Sequence, residues 1–470
     1  MSFISTTDNT KNAPFTGEES DYRNLIKTAN TSITELMRDN PSLLVFPKDL
    51  KESEDGIGEQ HIFDLHGNPD DLSSVKIMTE NIMGFIGIGE TILNIRSRFS
   101  KSDANDFFLH YMLEKVFSIN LFDFKHTSSN GGLDLLMFLF PYFLKKALAS
   151  GLYRQYQTFN RNDSNVKGLI DVSRHIRQNI PFGGKIAYKS RERTFDNQLT
   201  QLIRHTVEQI KRTNFGKSIL SHDIEMRKCV EEIVGATPSY CLQEREKIIG
   251  KNLKPVNHPY YLAYKPLQKL CLAILRYQKI GFGNSRNKVY GILFDGAWLW
   301  EEYLAKVLQP CGFKHPKNKV GVGGIRMFAN HNDELAFDKN YRRIYPDFYK
   351  PNDHDDKNGV ILDAKYKHLQ NGVGRDDLYQ IVTYMHTMQI DAGGFLYPLA
   401  KGETQSSDLL QRQRYQLAGY GGEVSVIGLV IPCVDKAKSV VQQREEFCGG
   451  MVQMEERLRK VVRGIEVEEI

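Results

Sequence analysis

Residues 345–367 read YPDFYKPNDHDDKNGVILDAKYK, and the fold of the last third of the chain turns on what this stretch does. Val360, Ile361 and Leu362 lead into Asp363 just after the turn pair Asn358-Gly359, which predicts a strand leaving a hairpin. Alternation then puts Val360, Leu362, Ala364 and Tyr366 on an apolar face, and Ile361, Asp363, Lys365 and Lys367 on the other. Arg343–Tyr349 is the expected partner, with Pro346 marking an edge or a bulge. A connection centred on Asp355 sets Asp347 across from Asp363, so two carboxylates and one ammonium share a surface. Either that face is simply solvated, or the carboxylates stay ionised beside a divalent cation or other positive charge. Mg²⁺ suits the second reading, because two Asp side chains and a backbone carbonyl offer the oxygen ligands it prefers. Lys365 would then orient or help deprotonate a bound water for attack on a phosphodiester.

The chain as a whole narrows the choice only a little. Its 470 residues allow roughly two to four domains. With 41% hydrophobic and 25% charged residues, the composition is that of a globular protein and excludes a low-complexity chain. A net charge of +5 permits nucleic-acid binding without requiring it. Cys229, Cys241, Cys271, Cys311, Cys433 and Cys448 form no CxxC pair and show no zinc-type spacing, so free thiols in a reducing cytoplasm are expected. The opening MSFISTTDNTKN lacks the basic-then-apolar run of a secretory signal. The longest apolar run, Leu135 to Leu144, is too short to cross a bilayer and reads as a core helix. A cytoplasmic location and no membrane partner follow as expectations.

Three regions are expected: a mixed, β-rich 1–125, a mostly helical 126–285, and 286–470 with a mixed sheet flanked by helices. The fold class is therefore a multidomain α+β or α/β chain. In the first region a helix after the cap-like Ser102-Asp103 carries Phe107, Phe108, Tyr111, Met112 and Val116 on one side. The stretch GFIGIGET (84–91) resembles a phosphate-binding loop, but Glu90 stands where Lys is needed. The chain itself is expected to bind no nucleotide. In the middle region Asp196 caps a helix with Leu199, Leu202, Ile203, Val207 and Ile210 on its packed face. Two strand-like pieces before it carry Lys167, Arg174, Arg177, Lys185, Lys189, Arg191 and Arg193. They either line a duplex through phosphate contacts or form a solvated basic rim.

In the third region Asp295 caps a helix whose stripe is Trp300, Tyr303, Leu304, Val307 and Leu308. Glu301 falls on the border of that stripe and is the candidate that reaches a site, while Glu302 is expected in solvent. After the DAK strand, a helix has Leu378, Ile381, Val382 and Met385 as its buried stripe, with Gln380 and Tyr384 together on another face. Glu on a helix, Asp and Asp-x-Lys on a hairpin, then Gln and Tyr on a helix is a more specific order than any one piece.

That order resembles the PD-(D/E)xK nuclease superfamily, with Pro346-Asp347 and Asp363-Ala364-Lys365 as its acidic elements. Gln380 to Tyr384 is similar to the Gln-x-x-x-Tyr motif of RecB-type nucleases, without the iron–sulfur cysteines of some of them. Over about 80 to 400, GFIGIGETILNIRSRF, VKGLIDVSRHIRQN, RERTFDNQL and FDGAWLWEEYL resemble the McrC family, endonuclease subunits of McrBC modification-dependent restriction systems. The resemblance implies a restriction-endonuclease-like domain at 286–470 and Mg²⁺, with Mn²⁺ as a substitute, on Asp347, Asp363, the Ala364 carbonyl and Glu301. It makes Lys365 the residue that positions or activates water, with Gln380 and Tyr384 orienting the lysine or the DNA backbone. It also implies double-stranded, modified DNA as substrate and a McrB-like AAA+ GTPase hexamer as partner, docked by a surface before about residue 125. The first eighty residues carry none of the resemblance. A non-catalytic activator of an AAA+ ring and a stand-alone repair nuclease are the other readings.

Overall fold

The computed structural model describes residues 2–40, 43–47, 57–100, 106–117, 131–221, 223–277, 289–316, 323–328, 343–352, 359–401, 408–419 and 421–463. The expected cap Ser102-Asp103, the turn residue Asn358 and the loop acids Asp353, Asp355 and Asp356 lie outside them. Residues 1–127 and 286–470 make one compact unit, and 128–285 make another. The regions expected at 1–125 and 286–470 are thus not separate. The reason is one strand, Val289–Asp295, which pairs antiparallel with Ile82–Ile88 and parallel with Leu43–Phe46. Thr91–Arg96 and Ser2–Thr7 complete that five-stranded sheet. Its core includes Ile4, Val45, Ile86, Leu93, Ile95 and Leu293.

GFIGIGET is part of this sheet: a strand followed by a tight turn at Gly89-Glu90 into the next strand. Gly84 has φ +123°, and a Cβ there would lie 2.2 Å from Ile292 O. Only glycine admits the neighbouring strand that closely.

The second sheet of this unit has the order Phe348–Lys350, Val360–Ala364, Ala392–Ala400, Glu423–Ile431, Leu410–Gln416. Its first and last pairs are antiparallel and the two inner pairs parallel. Parallel neighbours need a crossover, and the helix Arg375–Met388 supplies one between Val360–Ala364 and Ala392–Ala400. That helix packs Ile381, Tyr384 and Met385 against Ile361, Phe395 and Tyr397. The helices Gly296–Leu308 and Val440–Val462 cover the opposite face. Both faces of Val360–Ala364 are therefore covered, and Asp363 is 2% exposed instead of lying on a solvated face.

A buried carboxylate ties three helices of this unit together. Glu455 accepts from Tyr111 Oη at 2.8 Å, Tyr303 Oη at 3.0 Å, Lys115 Nζ at 3.0 Å and Arg459 Nη2 at 3.1 Å. Removing it would leave two cations and two hydroxyls without their acceptor. Glu455→Ala is expected to lower unfolding free energy by about 3–5 kcal/mol, read from denaturant melts.

The second unit packs Leu136–Phe140, Phe143 and Leu144 of the helix Gly131–Leu148, where the apolar run predicts a core helix. No helix among the described residues is long and apolar enough to cross a membrane. The helix Gln198–Ile210 buries its expected stripe, but Asn197 caps it, accepting from Leu199 N and Thr200 N at 3.1 Å. Asp196 instead bonds Gln201 Nε2 and Ser239 N. The unit also holds a small sheet of Gln155–Asp163, Ile186–Thr194 and Leu169–Ile170.

Candidate active site

The hairpin register places the two aspartates. Phe348 pairs with Leu362 and Tyr349 with Ile361, and continuing that register sets Asp347 opposite Asp363. Pro346 lies ahead of this edge strand, and Arg343–Ile344 pairs instead with Ile325–Arg326. Asp347 Oδ2 accepts from Ala364 N at 2.7 Å, so the side chain crosses the end of the hairpin to the DAK strand. Burial, and then the Asp363 and Glu301 carboxylates, push the Asp347 carboxyl well above its ordinary range. Burial also raises Asp363, against the pull of Lys365.

Lys365 follows the strand, with its Nζ 2.7 Å from Asp363 Oδ2 and 3.3 Å from Asp377 Oδ1. The Asp363 contact is a short ion pair between a buried carboxylate and a largely covered ammonium. Burial alone would depress the Lys365 ammonium; Asp363, Asp347 and Asp377 override it and hold it above the usual lysine range. Lys365 Nζ also donates to Gln380 Oε1 at 3.4 Å, and Gln380 Nε2 donates to Tyr384 Oη at 2.9 Å. Burial pushes the Tyr384 phenol up to about 12. The helix is rotated from the expected stripe: Tyr384 is buried and Val382 is 37% exposed. A tyrosine ring packs as an apolar group while its hydroxyl stays available at the rim.

Glu301 and Glu302 both stand 3.8 Å from His315 Nε2. The expectation of a solvated Glu302 is therefore corrected: its side chain is 23% exposed and shares the histidine with Glu301. His315 Nδ1 lies 2.8 Å from Asp347 O, and a carbonyl can only accept, so Nδ1 carries the proton. Burial would lower the His315 pKa, but Glu302, the Asp347 carbonyl and Glu301 raise it above the ordinary value.

Two residues at this site escaped the sequence reading. Asp377 precedes Gln380 by three and Tyr384 by seven, so helical spacing alone places it on their face. Its Oδ2 also holds Lys367 Nζ at 2.5 Å. No comparable pattern marks His315, which reaches Asp347 only through the bridge between Lys314 and Tyr349.

A hard divalent cation fits this donor set. The half-buried Asp347 and the buried Asp363 carboxylates repel each other, and Mg²⁺ commonly takes only one or two carboxylates while keeping waters. Among the described residues, no three His, Cys, Asp or Glu side chains already stand grouped as ligands.

The basic residues of the second unit divide. Residues 172–178 form a helix capped by Asp171, not a strand, and Arg174 Nη2 donates to Arg161 O and Tyr188 O, both at 2.6 Å. Arg174 is thereby committed to holding the small sheet. Arg177 Nε donates to Ser173 O at 3.2 Å. Lys189, Arg191 and Arg193 share one exposed face of Ile186–Thr194, with Arg191 over the Tyr156 ring at 5.1 Å. Lys167 and Lys185 are exposed nearby in sequence.

Comparison with curated proteins gives no match. Among solved structures, the refined half-complex from a tetradecameric assembly of Thermococcus gammatolerans McrB AAA+ hexamers with bound McrC is similar. That match covers 96% of this chain and 100% of the other at 15% identity, with a TM-score of 0.50, and it shows a common fold. The cryo-EM structure of the Thermococcus gammatolerans McrBC complex covers 66% of this chain and 87% of the other at 16% identity, with a TM-score of 0.34. The family model described as McrBC 5-methylcytosine restriction system component matches residues 77–398, a stretch that contains Glu301, Asp347, Asp363, Lys365, Gln380 and Tyr384. That match runs over more than half of the chain, and the chain belongs to the McrBC 5-methylcytosine restriction system component family.

Proposed function

We propose that this chain is the endonuclease subunit of a McrBC-like restriction complex, a Mg²⁺-dependent hydrolase of methylated DNA working with an AAA+ GTPase. The observation that carries the reading is the meeting of Asp347, Asp363 and Lys365 at one end of a hairpin, backed by Gln380 and Tyr384. The sheet supports it: an antiparallel hairpin, a crossover helix and parallel inner strands are the arrangement expected of a PD-(D/E)xK domain. Family membership supports a role in restriction, and the similar Thermococcus gammatolerans McrC was solved bound to McrB AAA+ hexamers. A McrB-like GTPase hexamer is accordingly the proposed partner.

A bound Mg²⁺, or Mn²⁺ in its place, would neutralise phosphate charge and acidify a water. Asp347 and Asp363 would hold it, with the Ala364 carbonyl, and Glu301 directly or through water. With its ammonium held above the ordinary lysine range, Lys365 stays a cation at neutral pH, and by donating hydrogen bonds it orients the water or a phosphate oxygen. Gln380 fixes where that ammonium points, and Tyr384 fixes Gln380. The exposed face of Lys189, Arg191 and Arg193 supplies phosphate contacts to the duplex.

The test is DNA cleavage by the purified chain in Mg²⁺, alone and with its AAA+ partner plus GTP, on methylated and unmethylated duplex. Cutting is expected only with partner, GTP and methylation together. Cutting by the chain alone would make it an independent nuclease, and stimulated GTP hydrolysis without cutting would make it an activator; both contradict the proposal.

A further inference from the structure

The segment Asn94–Phe99, NIRSRF, contributes nothing to the carboxylate cluster, yet its last three residues surround Tyr366, the neighbour of Lys365. Lys365 lies just past the strand Val360–Ala364, where its N–H donates to Leu396 O at 2.9 Å. Beyond that bond the backbone is held from the other sheet. Arg98 Nη2 donates to the Tyr366 carbonyl, and the Arg98 guanidinium stands 4.6 Å from the centre of the Tyr366 ring. Phe99 meets the same ring edge-on at 5.1 Å, and the Tyr366 hydroxyl shares a 2.8 Å hydrogen bond with Ser97 Oγ.

The socket is itself fixed. Asp8 accepts from Arg98 N and from Arg98 Nη1, both at 2.6 Å, and Asn81 Oδ1 accepts from Nη1 at 2.8 Å. Asp8 is 1% exposed, and the Arg98 side chain 10%. On the far side, a Cβ at Gly296 would lie 2.6 Å from the Tyr366 ring, so the ring fills the space up to the helix that carries Glu301. An apolar plug would join the two sheets without desolvating an ion pair. What the guanidinium adds is direction, because it fixes one carbonyl, and that carbonyl belongs to Tyr366, the residue next to Lys365.

We infer that Arg98, held by Asp8, is a positioning residue for Lys365, setting the reach of its ammonium toward Asp363 and the DNA. The inference rests on the nuclease reading above. It gives the amino-terminal sheet a part in the chemistry although none of its side chains joins the carboxylates.

Arg98→Lys keeps a cation beside Asp8 but loses the second nitrogen that reaches Tyr366 O. In the reconstituted complex its turnover on DNA should fall about 10- to 100-fold. KM for DNA and stimulation of the partner GTPase should stay at wild-type values, and amide exchange should quicken in a peptide spanning 360–369 but not in 423–431. Glu455→Gln is the control: it lowers the melting temperature and leaves turnover near wild type. Wild-type turnover or unchanged exchange at 360–369 in Arg98→Lys overturns the assignment. So does a fall in turnover that comes with a weakened KM for DNA and lost GTPase stimulation, the pattern of a misfolded chain. If Arg98→Lys fails to fold, Tyr366→Phe, which loses the hydroxyl's bonds to Ser97 Oγ and Met83 Sδ but keeps the ring and the carbonyl, should show the same signature more weakly; unchanged turnover and exchange there also overturn it. Lys365→Ala run alongside separates the failures. Cutting at the wild-type rate by Lys365→Ala defeats the nuclease reading and the role of Arg98 with it. A dead Lys365→Ala beside an unimpaired Arg98→Lys defeats only the latter.

Discussion

Lys365→Ala should cut methylated DNA about 10²–10⁴-fold more slowly than wild type, while partner GTP hydrolysis is stimulated as before. The size follows from what is lost: one ammonium between Asp363, Asp377 and Gln380, which the proposed mechanism sets where an attacked phosphate gathers negative charge. The fold should survive. Asp377 keeps Lys367 at 2.5 Å, and the Lys365 N–H still donates to Leu396 O. Single-turnover cleavage with GTPase rates from the same samples reads both halves. A parallel loss of GTPase stimulation would move Lys365 from chemistry to assembly.

Asp347→Asn should do two opposite things. Cleavage should drop at least about 10²–10³-fold, because one of the two carboxylates proposed to hold Mg²⁺ is replaced by a neutral amide. Stability without divalent ions should rise by about 0.5–2 kcal/mol, since a half-buried carboxylate beside Asp363 and Glu301 is a cost to folding. The asparagine Oδ1 can still accept from Ala364 N, so no hydrogen bond need be forfeited. The sign with pH follows from the raised pKa. At acid pH the carboxyl is protonated in folded and unfolded chains alike and costs nothing. As pH rises through the folded-state pKa, the wild type loses stability that the variant keeps. Mg²⁺ should stabilise the wild type and leave Asp347→Asn nearly unmoved. Thermal melts in chelator and in Mg²⁺ across pH measure all three, and a variant less stable than wild type in chelator would contradict the repulsion argument.

Local patterns were legible where neighbours in sequence are neighbours in space. The pairing of Asp347 with Asp363 follows from a hairpin centre, and Gln380 with Tyr384 from helical spacing. The stripe Trp300, Tyr303, Leu304, Val307 and Leu308 and its Asp295 cap read correctly because each lies within one helix. Long-range partners left no such trace. Val289–Asp295 is an apolar run whose composition says that it is buried, not that it pairs with Ile82–Ile88. His315 and Arg98 act through a backbone carbonyl, which has no side-chain signature. Val172 and Ile176 read as strand residues, but the Asp171 cap starts a helix there. Tyr384 misled the stripe because its polar hydroxyl hides a ring that packs against the sheet.

The measurement that bears most directly on the whole account is cleavage of methylated duplex by the reconstituted complex when its only nuclease chain carries both Asp347→Asn and Asp363→Asn. No product at any Mg²⁺ concentration, with GTP hydrolysis stimulated as in wild type, is the predicted result. Cutting at the wild-type rate would show that the reaction is carried elsewhere.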